Sequence, residues 1–228
     1  MSEPALAGEH PHPGTVKVMM QLMKLRVIVL LQITALCAIL VHDTFARYGV
    51  MDIERTWSQT LWVSIITVVG GTLSAGGSNA INMWYDADID PHMRRTMKRP
   101  IPLGHATPQF ALLFGSIIAI IGSSLFLLVS VKAAFWSAFS VLFYVLVYSM
   151  WLKRRTPQNI VIGGIAGSTP TLIGWAAAAG DSIANANMLD LGSPVPWMLF
   201  FLIFLWTPPH FWALALYRSG EYGKVNIP

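Results

Sequence analysis

The chain has 228 residues, of which 54% are hydrophobic and only 11% are charged, with a net charge of +4 and a mean hydropathy of +0.56. Soluble domains carry about 25% charged residues, so this composition excludes an ordinary soluble protein and indicates an integral, multi-pass membrane protein in a lipid bilayer. The basic residues form short clusters between apolar runs, which argues against a nucleic-acid partner and favours a role in membrane orientation.

The N-terminal segment differs from the rest of the chain. Residues 1–20 are mostly polar and contain several prolines, and we predict that they form a disordered cytoplasmic tail. The first apolar run follows Lys24 and Arg26 and lacks an obvious small-residue cleavage site, so we interpret it as an uncleaved membrane span. Cys37, the single cysteine, lies inside this run and is expected to be a small buried hydrophobe.

Six apolar runs have about the length that a membrane-spanning helix requires, since a hydrocarbon core of about 30 Å needs roughly 20 residues. The runs are 27–42, 61–84, 110–131, 133–152, 159–180 and 197–217, and the first reaches the required length together with the residues that precede it. The fold class predicted for 21–228 is therefore all-α, a polytopic transmembrane helix bundle. The fifth run is rich in glycine and the sixth contains Pro208 and Pro209, so we expect both to line an interior.

The connections between these spans alternate in charge. Basic residues collect before the first span, between the second and third, between the fourth and fifth, and after the sixth. Because cytoplasmic loops are enriched in Lys and Arg, we predict that the N-terminus and all four basic segments lie on the cytoplasmic side. Polar groups distant in sequence would then meet at one face of the membrane.

The stretch NAINMWYDADIDPHMRRTMKRP, residues 79–100, joins acids to the end of the second span. Asn82, Asp86 and Asp90 are four residues apart and would lie on one stripe of a helix, whereas Asp88 would point to nearly the opposite side. Carboxylates at the margin of a span are costly unless they are paired or bind a metal. An amide and two carboxylates are hard oxygen ligands suited to Mg²⁺, which completes its shell with substrate phosphates.

Four cations follow the acids and fit the same interpretation. Arg95 and Arg99 are four apart, with Arg94 and Lys98 beside them, and this density of donors suits a multiply charged phosphate. Acids for a metal and bases for an anion together indicate a diphosphate substrate. The alternative is a solvated loop whose bases only orient the membrane spans.

Two further basic segments allow similar alternatives. On charge alone, Lys24 and Arg26 are typical orientation signals. Tyr148, Lys153 and Arg154 could bind phosphate oxygens, or they could be an aromatic-belt residue followed by orientation charges, which composition alone favours.

An aromatic group surrounds one histidine in the sixth span. His210 follows the double proline and is flanked by Trp206, Phe211 and Trp212. A histidine can be an axial haem ligand, but in an apolar span it can equally be a hydrogen-bonded packing residue. Glu221 lies beyond this span and could be a ligand of a second metal ion, or it could simply be solvated.

The motifs in these segments resemble a known family. The pattern from Asn82 to Pro100 resembles the first aspartate-rich motif of the UbiA superfamily of intramembrane prenyltransferases. LKRRTPQNIVIGGIAGSTPTLIGW (152–175) and FLWTPPHFWALAL (204–216) resemble the branch of that superfamily that farnesylates haem. The resemblance runs from about Lys24 to Pro228 and includes the Lys24-x-Arg26 pattern, which favours substrate binding by these two residues.

The resemblance implies a fold and an activity. The fold is a bundle of nine transmembrane helices around a cavity, of which about six are present here, so we expect a truncated chain that lacks the C-terminal part. The activity is Mg²⁺-dependent transfer of farnesyl from farnesyl diphosphate to a vinyl group of haem B, giving haem O for terminal oxidases. The implied location is a bacterial-type inner membrane with a cytoplasmic active site, and haem A synthase or terminal oxidase assembly factors are possible partners.

Within this resemblance the amide of Asn82 and the acids Asp86, Asp90 and Glu221 would bind the metal, although the family usually has aspartate where Glu221 stands. The diphosphate would be bound by the basic residues and a tyrosine: Lys24, Arg26, Arg94, Arg95, Lys98, Arg99, Tyr148, Lys153 and Arg154.

Three other functions remain open from the residues. The acceptor could be an aromatic quinone precursor such as 4-hydroxybenzoate. Intramembrane acids also occur in ion or metal transporters, although here the third and fourth spans have interiors without acids or bases. The chain could also be a catalytically silent assembly partner.

Overall fold

The computed structural model describes residues 13–51, 53–183 and 185–217, and every regular element in these ranges is helical. The helices are α1 (Thr15–Met23), α2 (Leu25–Arg47), α3 (Trp57–Tyr85), α4 (Pro108–Leu125), α5 (Val131–Leu142), α6 (Asn159–Ala179) and α7 (Val195–Tyr217). Helix α5 continues without interruption as a π-helix over Phe143–Leu152, and short 3₁₀ turns cover Asp90–His92, Phe126–Leu128 and Gly180–Ile183.

The six predicted spans are confirmed. Six helical segments are long and apolar enough to cross a membrane: Leu25–Arg47, Trp57–Tyr85, Pro108–Leu128, Val131–Leu152, Asn159–Ala179 and Val195–Ala213. Their bounds differ from those of the predicted apolar runs by a few residues at either end.

Several helices begin at a side chain that caps them. Thr56 accepts a hydrogen bond from the backbone N–H of Gln59, and the Gln59 side chain accepts one from the N–H of Thr56, which together form a capping box for α3. Thr107 and Ser130 cap α4 and α5 in the simpler way. These caps place the polar connections at the ends of the apolar helices.

Helix α6 lies at the centre of the bundle, as its small residues predicted. It packs against α2, α5 and α7, and it is the most buried of the six spans. A β-carbon built on Gly174 would lie 2.1 Å from the carbonyl oxygen of Ala35 in α2, so only glycine allows the two backbones to approach this closely.

The sixth span meets its prediction on one face only, where Thr207 and Pro208 are buried and Thr207 lies beside Gly164 of α6. Among the described helices α7 packs mainly against α6, and most of its remaining surface is exposed, including many large apolar side chains. Because α7 is apolar on all sides, its composition does not by itself select the face that packs against α6.

Two further expectations differ from the structure. Helix α1 begins at Thr15, inside the segment predicted to be a disordered tail, and its residues Val18 and Leu22 are buried against α3 and α4 with Ala80 and Ala111. Cys37 is exposed on the surface of α2 rather than buried, because its neighbours Ala38 and Ile39 face the core instead.

Candidate active site

Three segments that are far apart in sequence meet at one end of the bundle. They are the junction of α1 and α2, the end of α3 with the turns that follow it, and the π-helix that extends α5 together with Lys153 and Arg154. This convergence agrees with the prediction for the first three basic segments, while the fourth, after the sixth span, lies outside the described residues.

Asp86 lies at the centre of this cluster. Helix α3 ends at Tyr85, and Asp86 is its C-terminal capping position, fully buried with 0% exposure. Its Oδ2 accepts hydrogen bonds from Lys153 Nζ at 2.5 Å and from Asn82 Nδ2 at 3.1 Å. Its Oδ1 is buried and accepts no hydrogen bond from any described residue, although Arg154 Nη2 is 3.9 Å away.

Asp90 forms the second buried ion pair. Its backbone N–H donates to Asp86 O at 2.9 Å, which continues the helical turn past Tyr85, and Asp90 itself is buried. Arg99 Nη1 donates to both carboxylate oxygens at 2.8 and 2.7 Å, and Thr96 donates to the Asp90 carbonyl. Burial raises the pKa of Asp90, and nearby Asp86 adds to this, while the Arg99 guanidinium acts in the opposite direction.

The predicted acidic stripe therefore exists, although α3 ends at Tyr85 and the stripe continues through turns that are not α-helical. Asn82, Asp86 and Asp90 remain on one side because the i to i−4 hydrogen bond persists through the turns. Pro91 follows within the 3₁₀ turn Asp90–His92.

Lys24 joins the cluster from the junction of α1 and α2. It has a φ of 57°, in the left-handed region, which turns the chain from one helix to the next. Its Nζ donates to Asn82 Oδ1 at 3.2 Å. Burial of the amine, together with the charges of Arg99 and Lys153, lowers the pKa of Lys24 to about 7.

Asp88 and Arg154 form a separate, outward-facing pair. Arg154 Nη1 and Nη2 donate to the two Asp88 oxygens at 2.8 and 2.7 Å, and the Asp88 side chain is 60% exposed. Arg154 also donates to the Tyr85 carbonyl and lies over the Tyr85 ring. Hydrogen bonding by Arg154 lowers the pKa of Asp88. The structure thus agrees that Asp88 points away from the stripe, and it groups Arg154 with Asp88.

The other predicted cations lie at the margin of the cluster. Arg26, Arg94, Arg95 and Lys98 are exposed, and within the described ranges none of them forms an ion pair with an acid.

Two residues of the π-helix belong to this site and were not predicted from the sequence. Ser149 is buried, accepts a hydrogen bond from Asn82 Nδ2 at 3.1 Å and donates to the Tyr144 carbonyl. The Tyr144 ring stacks on Tyr148, and Tyr148 in turn packs against Gly163 of α6. The π-helix, which is often found at functional sites, brings Ser149 to Asn82, and no sequence pattern signals it.

The aromatic group of α7 is separate from the acids in the described contacts. Trp206 and His210 stack with ring centroids 4.4 Å apart, and Phe211 meets His210 edge-on. Trp206, His210, Phe211 and Trp212 are all exposed. Glu221 lies outside the described residues.

The donors in this cluster fit a divalent cation of the Mg²⁺ type. Asn82, Asp86 and Asp90 are the oxygen donors of this cluster that could hold such a cation, and Mg²⁺ commonly uses one or two carboxylates plus substrate phosphates. The buried, unpartnered Asp86 Oδ1 is an oxygen that a hard cation would satisfy.

Comparison with known proteins identifies relatives of the whole described bundle. Residues 44–228 match the UbiA prenyltransferase family. The chain is 46% identical over 216 residues to the protoheme IX farnesyltransferase of Parvibaculum lavamentivorans, covering 94% of this chain and 61% of that protein. It is 44% identical over 207 residues to the protoheme IX farnesyltransferase of Symbiobacterium thermophilum, covering 91% of this chain and 62% of that protein. The chain therefore spans 61–62% of the length of these curated relatives.

A solved structure supports the fold. The structure of a digeranylgeranylglyceryl phosphate synthase superposes with a TM-score of 0.68 at 19% identity, covering 93% of this chain and 66% of that one. At this identity the likeness concerns the arrangement of the helices alone.

Proposed function

Since the chain belongs to the UbiA prenyltransferase family, we propose that it transfers a farnesyl group from farnesyl diphosphate to a vinyl group of haem B, giving haem O. The proposal rests on one observation above all: Asn82, Asp86 and Asp90 adjoin Lys153 and Arg99 at one end of an apolar bundle. The name of the relatives that are 44–46% identical supports the choice of substrates.

Asn82, Asp86 and Asp90 would hold Mg²⁺, with Glu221 contributing from the second acidic motif. When bound, the metal supplies positive charge to the diphosphate and so makes it a better leaving group. Asp86 has a free buried oxygen for this purpose, and the Asn82 amide is already oriented by Ser149 and Lys24.

The cations of the site would neutralise the departing diphosphate. Lys153 and Arg99 are paired with Asp86 and Asp90, and a metal bound to the same carboxylates would free both cations for phosphate oxygens. Lys24 and Tyr148 would add donors. The exposed cations Arg26, Arg94, Arg95 and Lys98 would attract the anion to the site, while Arg154 would act mainly by holding Asp88 and the end of α3.

Departure of the diphosphate leaves an allylic cation that the haem vinyl group attacks. The apolar bundle suits both the isoprenoid chain and the porphyrin, and it limits quenching of the cation by bulk water. Trp206, Phe211 and Trp212 are candidate surfaces for the porphyrin, with His210 a candidate iron ligand. The site would face the cytoplasm, with products passing to haem A synthase or terminal oxidase assembly.

The test is product identification. Membranes containing the chain are incubated with labelled farnesyl diphosphate and either haem B or 4-hydroxybenzoate, with Mg²⁺ or with excess EDTA. We expect label on haem alone and only with the metal. Label on the benzoate but never on haem would replace the proposed acceptor, and cation flux in liposomes that prenyl diphosphate does not diminish would favour a transporter.

A further inference from the structure

A contact between Ser149 and Asn82 joins the π-helix to the acidic stripe. Ser149 is fully buried and Asn82 nearly so. The Asn82 amide nitrogen, Nδ2, lies 3.1 Å from Ser149 Oγ, although the two residues are 67 apart in the sequence. An amide carries donors on its nitrogen and lone pairs on its oxygen, so the direction of this hydrogen bond decides which end of the amide stays available for a ligand.

The backbone of the π-helix fixes that direction. The Ser149 hydroxyl lies 2.9 Å from the carbonyl oxygen of Tyr144, five residues earlier. A carbonyl oxygen can only accept, so Ser149 donates its proton to Tyr144 and presents its own lone pairs to Asn82. Ser78 and Ser168, which lie in α-helices, donate instead to the carbonyl four residues earlier. The spacing of five belongs to the π-helix, which thus makes Ser149 an acceptor for the amide.

The other contacts of the Asn82 amide agree with this direction. Nδ2 also donates to Asp86 Oδ2 at 3.1 Å, and Oδ1 accepts from Lys24 Nζ at 3.2 Å. Both N–H groups are therefore used, whereas the oxygen has a second lone pair beyond the one that accepts from Lys24. Oxygen is the ligand atom that a cation of the Mg²⁺ type requires. In the reversed amide the oxygen would lie against Asp86 Oδ2, which is itself an acceptor.

Ser149 differs from Asp86 as a partner of this amide. Asp86 is itself a candidate ligand and also pairs with Lys153, so a bound cation would compete for the carboxylate that holds the amide. Ser149 is neutral and buried within a helix, and its contacts in the described ranges are to Asn82 and the Tyr144 carbonyl. It can therefore hold the amide in the same orientation with and without a cation.

We propose that Ser149 is a positioning residue that directs the Asn82 oxygen toward the divalent cation and so raises the affinity of the site for the metal. This inference rests on the proposed function, in which Asn82, Asp86 and Asp90 hold Mg²⁺. Ser149 acts through Asn82 and touches neither the metal nor the substrate. Outer partners that orient metal ligands typically account for about 10–100-fold in metal affinity.

Binding of Mn²⁺ to the purified full chain, followed by the electron paramagnetic resonance of the free ion, tests this role without turnover. The relevant binding is the part for which Mg²⁺ competes and which Asp86→Asn removes. We expect Ser149→Ala to weaken it about tenfold, whereas Ser149→Thr keeps the hydroxyl and should keep the parental affinity. Ser168→Ala is the matched control, since it removes an equally buried hydroxyl that donates to a carbonyl of α6, and it should leave the affinity unchanged.

The Asn82→Asp variant separates positioning from packing. A carboxylate has an oxygen at both ends, so its orientation no longer decides which atom meets the cation. Ser149→Ala should therefore weaken Mn²⁺ binding much less in the Asn82→Asp background than in the parental one. An equal loss in both backgrounds would mean that the serine supports packing alone and would overturn the inference. Affinities are compared, because partial unfolding lowers the number of sites and not their affinity.

The remaining outcomes distinguish this inference from the proposed function. Parental affinity in Ser149→Ala would overturn the positioning role and leave the proposed function intact. A chain that farnesylates haem but shows no Mn²⁺ binding that Asp86→Asn removes would overturn the metal ligand set and this inference, but not the reaction. A tenfold loss in Ser149→Ala, together with no farnesylated haem from the parental chain, would support the positioning role and overturn the proposed reaction.

Discussion

Asp86 and Asp88 are two residues apart in the sequence, yet the structure predicts a large effect for replacement of Asp86 and a small effect for replacement of Asp88. Asp86 is fully buried and pairs with Lys153, whereas the Asp88 side chain is 60% exposed and pairs with Arg154. Asp86→Asn and Asp88→Asn each replace one carboxylate oxygen by an amide nitrogen, so each variant is the matched control for the other.

The effect on stability follows from burial. Removing one partner of a fully buried ion pair costs about 3–5 kcal/mol. The Lys153 side chain keeps 17% exposure and can be partly solvated when it loses Asp86, so we expect Asp86→Asn to lower the free energy of unfolding by about 2 kcal/mol. An exposed pair contributes about 0–1 kcal/mol, so Asp88→Asn should change stability by less than that.

The effect on activity should be larger for Asp86. If this carboxylate binds the metal, its loss should reduce turnover about 10³-fold, equivalent to about 4 kcal/mol of transition-state stabilisation. Asp88→Asn should leave turnover within about threefold, because the side chain points away from the site. Both variants are assayed at equal amounts of folded protein with labelled farnesyl diphosphate and haem B, over a series of Mg²⁺ concentrations.

Two results would refute this reasoning. One is an Asp86→Asn variant that keeps more than a tenth of the parental turnover at every Mg²⁺ concentration. The other is an Asp88→Asn variant as impaired as Asp86→Asn, which would mean that the outward pair belongs to the reacting site.

The remaining predictions concern other contacts. Lys153→Met should abolish turnover while Arg154→Met lowers it only a few-fold, and equal losses in the same assay would contradict the division between inner and outer pairs. Gly174→Ala should destabilise the bundle by about 1–3 kcal/mol through overpacking, whereas Gly167→Ala, which meets open space on the same helix, should not; thermal unfolding distinguishes them. Because the pKa of Lys24 is lowered to about 7, the unfolded chain binds more protons between pH 7 and the usual amine pKa near 10, so stability rises with pH there. Lys24→Met should therefore raise the melting temperature more at pH 7 than at pH 10. An equal rise at both pH values would show that the surroundings do not lower the pKa of this amine.

The number and type of the elements could be predicted from sequence because they depend on local properties. Apolar runs of about 20 residues specify spans wherever they occur, and all six were correctly placed. The grouping of Asn82, Asp86 and Asp90 also depends only on spacing along one segment. It persisted even though α3 ends at Tyr85, because the turns keep the i to i−4 hydrogen bond.

Other features could not be predicted from the sequence because they depend on contacts between segments that are distant in the sequence. Lys153 and Arg154 are adjacent and chemically alike, and only the approach of the π-helix to the end of α3 assigns one to Asp86 and the other to Asp88. Ser149 carried no signal, since its role arises from a contact with Asn82, 67 residues away. The two adjacent prolines of α7 likewise differ only through their surroundings, since Pro208 is buried and Pro209 is exposed.

The sequence by itself thus determined a membrane protein with six spans and an acidic stripe followed by cations, since hydropathy and helical spacing act within a single segment. Tertiary structure alone decided which cation meets which acid, and that Lys24 comes from the junction of α1 and α2 to donate to Asn82. The physical reason is that ion pairing and burial depend on distances between helices, and those distances are set by side-chain packing such as the contact of Gly174 with Ala35.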